Sequence, residues 1–218
     1  MSILGVSAGF HDAALTVIDK SGDIIFAGHS ERYSKVKNDP NLHPDLITEI
    51  YGLDVDTIAY YENPGLKQLR RLRSGQGIEW RKLTTSSILS KQFGNHFILS
   101  GCDLKTYNHH LSHAAAGFQT SPYSRATVVV IDAIGEFDTA SIWAAEYDAQ
   151  GRATYRKLWR QAYPHSIGLF YSAMTQRVGL KPLDEEYILM GMAAYGERGF
   201  GSLLEQDFIE NPWKITFK

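Results

Sequence analysis

The chain has 218 residues, 44% apolar and 12% aromatic, enough for one large domain or two lobes with cores of their own and too apolar for an unfolded chain. Twenty-two basic side chains against 24 acidic ones leave a net charge of −2, which excludes the overall basic field of a general nucleic-acid or membrane-surface binder. One cysteine, Cys102, excludes an intrachain disulfide framework and a cysteine zinc ribbon. With no cationic leader and no apolar run near the ~20 residues that cross a bilayer, a cytoplasmic location is expected.

Apolar runs at 3–6, 13–19 and 24–29, the last two separated by Lys20-Ser21-Gly22-Asp23, predict a three-stranded antiparallel meander. A helix is expected over 44–51, a short strand at 57–61, a basic segment at 67–73 and a strand at 96–100, an alternation that predicts an α/β layer. A helix then starts near Asn108, its N-cap, and runs through HHLSHAAAGF to stop before Ser121-Pro122. A second meander follows at 126–132, 138–147 and 153–162, with Asp148-Ala149-Gln150-Gly151 as the turn between the last two strands. Helices are expected over 166–178, over 184–194 with Asp184 as N-cap and Gly196 as stop, and over 203–209.

The spacing Gly-x-x-Asp-x-Ala occurs at Gly9, Asp12 and Ala14 and again at Gly135, Asp138 and Ala140, each time between the first and second strands of a meander. That placement predicts an internal duplication, with lobes at 1–124 and 125–218. The first lobe carries two strands after its meander and the second shows none, so the second lobe reads as incomplete.

The densest chemical signal is His109-His110-Leu111-Ser112-His113. Residues four apart share a helix face, so His109 and His113 can aim at one point while His110 points elsewhere. Asp132, at the end of an apolar strand, supplies a carboxylate for a two-histidine site suited to Fe(II) or Zn(II). The same spacing also fits a histidine-rich helix start whose rings pack in a core. Ser7-Ala8-Gly9-Phe10-His11-Asp12 is a small-residue loop with two proton-transfer groups, readable as a phosphate- or sugar-contacting loop or as a capped hairpin turn. Its counterpart, from Asp132 through Gly135 and Glu136 to Asp138, holds three carboxylates in seven residues. Lys35 and Lys37 can neutralise a phosphate or sit as solvated loop charges. Lys67, Arg70, Arg71, Arg73, Arg81 and Lys82, interrupted by Trp80, form a basic stretch that can contact RNA but is expected to be a solvated face or a contact with another domain. Tyr187, Met190 and Met192 are expected to pack within a helix.

The segments ILGVSAGFHDAALTVID, SERYSKVKND, NHHLSHAAAGFQTSP, VVVIDAIGEFDTASIW, YPHSIGLFYSAMT and EEYILMGMAAYGE, in this order across nearly the whole chain, resemble the O-carbamoyltransferases of the nodulation and antibiotic-tailoring type. The resemblance implies an actin-like, ribonuclease H-like duplicated α/β fold. It implies transfer of a carbamoyl group from carbamoyl-adenylate to a hydroxyl of a small-molecule or sugar acceptor. A following carbamoyl-adenylate-forming domain, absent from these 218 residues, would make that donor from carbamoyl phosphate and ATP. By the same resemblance His109, His113 and Asp132 are iron ligands, with a fourth aspartate beyond Lys218. His11 and Asp12 meet the acceptor and the carbamoyl-adenylate, Lys37 lies near the nucleotide phosphates, and Gly135 and Glu136 lie on the nucleotide side. Ala133 replaces an expected glycine, and Tyr187-Ile188 replaces an expected Gly-Lys. The competing classes are an actin-like small-molecule kinase or ATPase, and a non-catalytic metal- or nucleotide-binding subunit.

Overall fold

The computed structural model describes residues 2–94, 101–197, 199–212 and 216–218. Two compact units divide the chain, Met1–Ser112 and His113–Lys218. The strand expected at 96–100 lies outside the described residues.

Among its described residues the first unit holds five strands: β1 (Ile3–Ser7), β2 (Ala14–Ile18), β3 (Ile24–His29), β4 (Thr57–Tyr60) and β5 (Asp103–Thr106). They form one mixed sheet in the order β3-β2-β1-β4-β5, with β1 antiparallel to β2, β2 antiparallel to β3, and β4 parallel to both β1 and β5. Strict alternation in β1 and β2 puts Leu4, Val6, Leu15 and Val17 into the core with Ile58 and Tyr60 of β4. The connecting helices are α1 (Glu31–Ser34), α2 (Pro44–Thr48), α3 (Pro64–Arg73) and α4 (Thr85–Phe93). Leu46 and Ile47 of α2 and Ile88, Leu89 and Phe93 of α4 join the same core. Local chemistry starts the last three helices: Pro44 and Pro64 occupy first turns, the Asn63 side chain accepts from Leu66 N, and Thr84 and Ser87 form a reciprocal capping box.

The basic segment 67–73 is α3, and its pattern inverts the usual one. Leu66, Leu69 and Leu72 are exposed while Gln68 and Arg70 are buried. The expectation of a solvated basic face holds for Arg73 and Arg81, which are exposed, and is corrected for the rest of α3, where Arg70 is buried and acids fold back onto the helix: Lys67 pairs with Glu62 at 3.1 Å and Arg71 with Glu79 at 2.9 Å.

Helix α5 (His109–Gln119) begins at the end of the first unit and continues into the second. The second unit contains β6 (Arg125–Gly135), β7 (Asp138–Tyr147) and β8 (Ala153–Ala162), an antiparallel sheet in chain order. After it come α6 (Ile167–Arg177), α7 (Glu186–Ala193) and α8 (Gly201–Asp207). The expected Asp184 cap is corrected: Glu185 is the capping position without a side-chain cap, and Asp184 instead accepts from Lys181 Nζ at 2.7 Å. The absence of further strands is also corrected. β9 (Ile209–Asn211) and β10 (Thr216–Phe217) pair antiparallel, too short to show a period; Phe217 stacks on Phe170 of α6 and Phe208 meets the same ring edge-on. Tyr187, Met190 and Met192 are exposed rather than packed. Among the described residues no helix is long and apolar enough to cross a membrane.

Candidate metal centre

Asn108 ends its segment with a side chain that accepts from Leu111 N at 3.2 Å, and this starts α5 where sequence places it. Ser112 Oγ donates to Tyr61 O at 2.9 Å and so anchors the first turn to the residue after β4. Further along, Phe118 packs on Tyr147 and Tyr155, and Gln119 donates to the Tyr155 hydroxyl, which ties the last turn to β7 and β8. His110, Ala114 and Phe118, four residues apart, form the buried stripe. His109 and His113 share the adjacent stripe, one turn apart on a single helix.

Asp132 of β6 completes the group. One donor atom from each of His109, His113 and Asp132 lies within 4.8 Å of the others, so the sequence spacing does bring these three together. The Asp132 carboxylate is oriented by its own loop, since Oδ1 accepts from Ala133 N at 2.7 Å. Ser166 Oγ donates to Ala133 O at 2.7 Å and caps α6 by accepting from Leu169 N, so the start of α6 is clamped to the same loop. Two imidazoles and one carboxylate fit a divalent transition ion with open coordination positions, Fe(II) or Zn(II) by donor chemistry.

Glu62 is the residue that sequence reasoning missed. Its side chain is 1% exposed, and Oε2 lies 3.8 Å from His109 Nδ1, a charged partner behind a candidate ligand. Both Glu62 oxygens accept from Lys67 Nζ at 3.1 Å, and that ammonium sits 2.7 Å from the centre of the Phe10 ring. A buried carboxylate, a half-buried ammonium and an aromatic ring thus connect His109 to the Gly9–Asp12 loop. Only the cluster of charges after β4 hinted at this.

Burial lowers the Lys67 ammonium to about 8, with Glu62 opposing the shift. Below that pH the group is protonated both folded and unfolded, and its burial cost is fully present. Between there and the ordinary value of 10.5 the folded chain gives up its proton first, so this group's contribution to stability rises with pH. Lys67→Met strands Glu62 in the interior and is expected to cost about 3 kcal/mol at neutral pH. In urea unfolding the wild type should widen its lead over the variant between about pH 7.5 and about pH 9.5. Equal stability at neutral pH would rule out the buried pair.

The small-residue loop has a geometry of its own. Gly9 N donates to Pro40 O and Ala13 N to Asp39 O, both at 2.8 Å, so the loop is docked on the segment that follows Lys37. Tyr60 OH, fully buried, donates to Ala8 O at 2.7 Å. Asp12 adopts φ 51°, the left-handed conformation that aspartate tolerates, and Oδ2 lies 2.8 Å from His11 Nδ1. Its other oxygen is 3.7 Å from His29 Nε2, and Asp12, His29 and Glu31 form a second group of metal-competent donors within 4.8 Å of one another. Lys37 is exposed on the loop after α1.

The counterpart loop in the second unit is a tighter turn. Gly135 pairs directly with Asp138, leaving Glu136 and Phe137 at the tip, whereas Ser7 pairs with Ala14 across six intervening residues. Glu136 is buried at φ 49°. Asp138 is structural: it holds Lys157 at 2.7 Å and Arg160 at 3.1 Å across to β8. The three carboxylates of this loop therefore separate into a candidate ligand, a buried turn residue and a cross-strand anchor.

The chain is similar along 99% of its length to an uncharacterised protein of Synechocystis sp., 32% identical over 243 residues that make up 38% of that relative. It is 29% identical over 200 residues to nodulation protein NolNO of Sinorhizobium fredii, covering 86% of this chain and 28% of the relative. An uncharacterised protein of Methanocaldococcus jannaschii is 24% identical over 284 residues, 100% of this chain and 46% of its own length. The chain thus spans less than half the length of each. Residues 78–212 match the family described as carbamoyltransferase N-terminus, a span that takes in His109, His113 and Asp132 together with the α6 clamp. A match over more than half of the chain, its donor cluster included, makes this protein a member of the carbamoyltransferase N-terminal family.

Proposed function

We propose that the chain is the transferase portion of an O-carbamoyltransferase, moving a carbamoyl group from carbamoyl-adenylate to a hydroxyl of a small-molecule or sugar acceptor. The observation that carries the reading is the His109, His113 and Asp132 donor group, inside the family match and linked through Glu62, Lys67 and Phe10 to the Asp12 loop. The strand order β3-β2-β1-β4-β5 with its second antiparallel meander supports an actin-like, ribonuclease H-like duplicated fold; its lobes, 1–124 and 125–218 in this reading, are divided at the start of the second meander, whereas the compact units meet at 112/113. The relatives' greater length supports a further domain that forms carbamoyl-adenylate from carbamoyl phosphate and ATP.

When bound at His109, His113 and Asp132, Fe(II), or Zn(II) in its place, would supply Lewis acidity toward the donor's carbonyl or phosphate oxygens. His11 is the general base in this reading. Asp12 Oδ2 beside Nδ1 holds the tautomer that leaves Nε2 to accept the acceptor's hydroxyl proton. The acceptor oxygen bonds to the carbamoyl carbon, the bond from that carbon to the phosphate oxygen breaks, and adenylate leaves with the electron pair. Lys37 neutralises the leaving phosphate, and Gly135 and Glu136 line the nucleotide side.

The test supplies the chain with a carbamoyl-adenylate-forming enzyme, [14C]carbamoyl phosphate, ATP and a panel of sugars. Label is expected to reach the acceptor, and His11→Ala should lower the rate by about 10²–10⁴-fold. Transfer of phosphoryl label from [γ-32P]ATP in place of carbamoyl label would establish the kinase reading instead.

A further inference from the structure

Beside the Gly9–Asp12 loop, within the first unit, lies a half-open cavity of about 680 Å³, a volume that suits a mono- or disaccharide. Gly9 and Phe10 form one wall, immediately before His11 and Asp12, and the 3-10 turn Trp80–Lys82 forms another. Trp80 is 73% exposed. An indole left in water beside a concave surface is a platform for the flat face of a ring.

The polar lining indicates what else the ligand carries. Gln92 Nε2 donates to Asn41 Oδ1 and Gln92 Oε1 accepts from Leu42 N, so the neutral amides are engaged with their own frame. The Glu79 carboxylate is held by Arg71 at 2.9 Å and Lys82 at 3.0 Å. Arg81 and Lys91 also line the cavity, are exposed, and have no hydrogen bond or ion pair among the described residues. Beside the Asn41 NH2 and the Trp80 indole N–H, the donors left over are therefore these two cations. A neutral sugar would leave them unused, whereas an anionic substituent takes charge-assisted hydrogen bonds from both.

We propose that this cavity holds the acceptor and that the acceptor is an anionic sugar: its ring lies on Trp80, its phosphate or carboxylate meets Arg81 and Lys91, and a hydroxyl faces the loop of His11 and Asp12. The assignment of the ligand as acceptor rests on the carbamoyl-transfer reading; binding itself does not.

Calorimetric titration of the whole chain with glucose 6-phosphate, glucuronate, glucose and AMP tests it. Glucose 6-phosphate, glucuronate or both should bind, and which of them binds separates a phosphate from a carboxylate. Glucose should bind at least about tenfold more weakly, and Trp80→Ala and Arg81→Gln/Lys91→Gln should each weaken the anionic sugar about tenfold or more with unchanged melting. Glucose binding as tightly as the anionic sugars, binding of AMP alone, affinity indifferent to the variants, or no binding by any of the four would overturn the proposal. Fe(II) titration of the same preparations keeps the two readings apart. Sugar binding without metal binding counts against the transferase reading alone, and metal binding without sugar binding against this cavity alone.

Discussion

Under anaerobic conditions the wild-type chain is expected to take up one equivalent of Fe(II), and His109→Ala/His113→Ala to bind it at least about a hundredfold more weakly. The expectation rests on three donors from two elements whose geometry is set independently of the ion. Helix α5 alone fixes the offset of one turn between the two imidazoles, and the Ala133 and Ser166 contacts fix the Asp132 loop. Glu62→Gln leaves all three donors in place but removes the charge behind His109, and an intermediate loss of about tenfold to a hundredfold is expected. His110 is wholly buried on the neighbouring stripe, so its loss should appear in the melting curve and not in the iron content. Calorimetry with metal analysis of the recovered protein reads all of these. Equal binding by wild type and double variant would reduce the pair to core histidines.

What the sequence disclosed of this arrangement was local in origin. Both meanders, the Asn108 start of α5 and the histidine pair depend on periods and caps contained within a dozen residues, and the structure places them where the pattern does. Long-range pairing was not legible. Strand β5, Asp-Leu-Lys-Thr, is exposed along its length and carries no apolar alternation; it is a strand because β4 offers it a parallel edge. Helix α3 hid behind its charges, since its leucines face out and its interior contacts are made by Gln68 and Arg70. Glu62 and Lys67 read as ordinary surface charges until the sheet carries them beneath His109 and Phe10, where burial changes what they do.

Gly168→Ala should destabilise the second unit, against the sign that helix propensity predicts. In the interior of a helix this exchange normally gains about 1 kcal/mol, and Gly191→Ala on α7, whose added methyl meets nothing within 4 Å, should show that gain. Gly168 lies in the first turn of α6, where a methyl would stand 2.6 Å from Ala133 Cα and N and 2.7 Å from Asp132 O. All three are backbone atoms, so no side chain can swing away. Relief requires parting the start of α6 from the end of β6, which breaks the Ser166 hydrogen bonds to Asp132 O and Ala133 O. Overpacking of this kind costs about 1–3 kcal/mol, and the propensity gain offsets only part of it. Because the loop that yields also carries Asp132, Fe(II) affinity should fall together with stability, although residue 168 offers no donor. Urea unfolding and iron titration of the Gly168→Ala and Gly191→Ala chains separate the outcomes: a Gly168→Ala chain as stable as Gly191→Ala would mean that α6 and β6 do not approach this closely. A destabilised chain with unchanged iron affinity would mean that Asp132 is not held by the clamp.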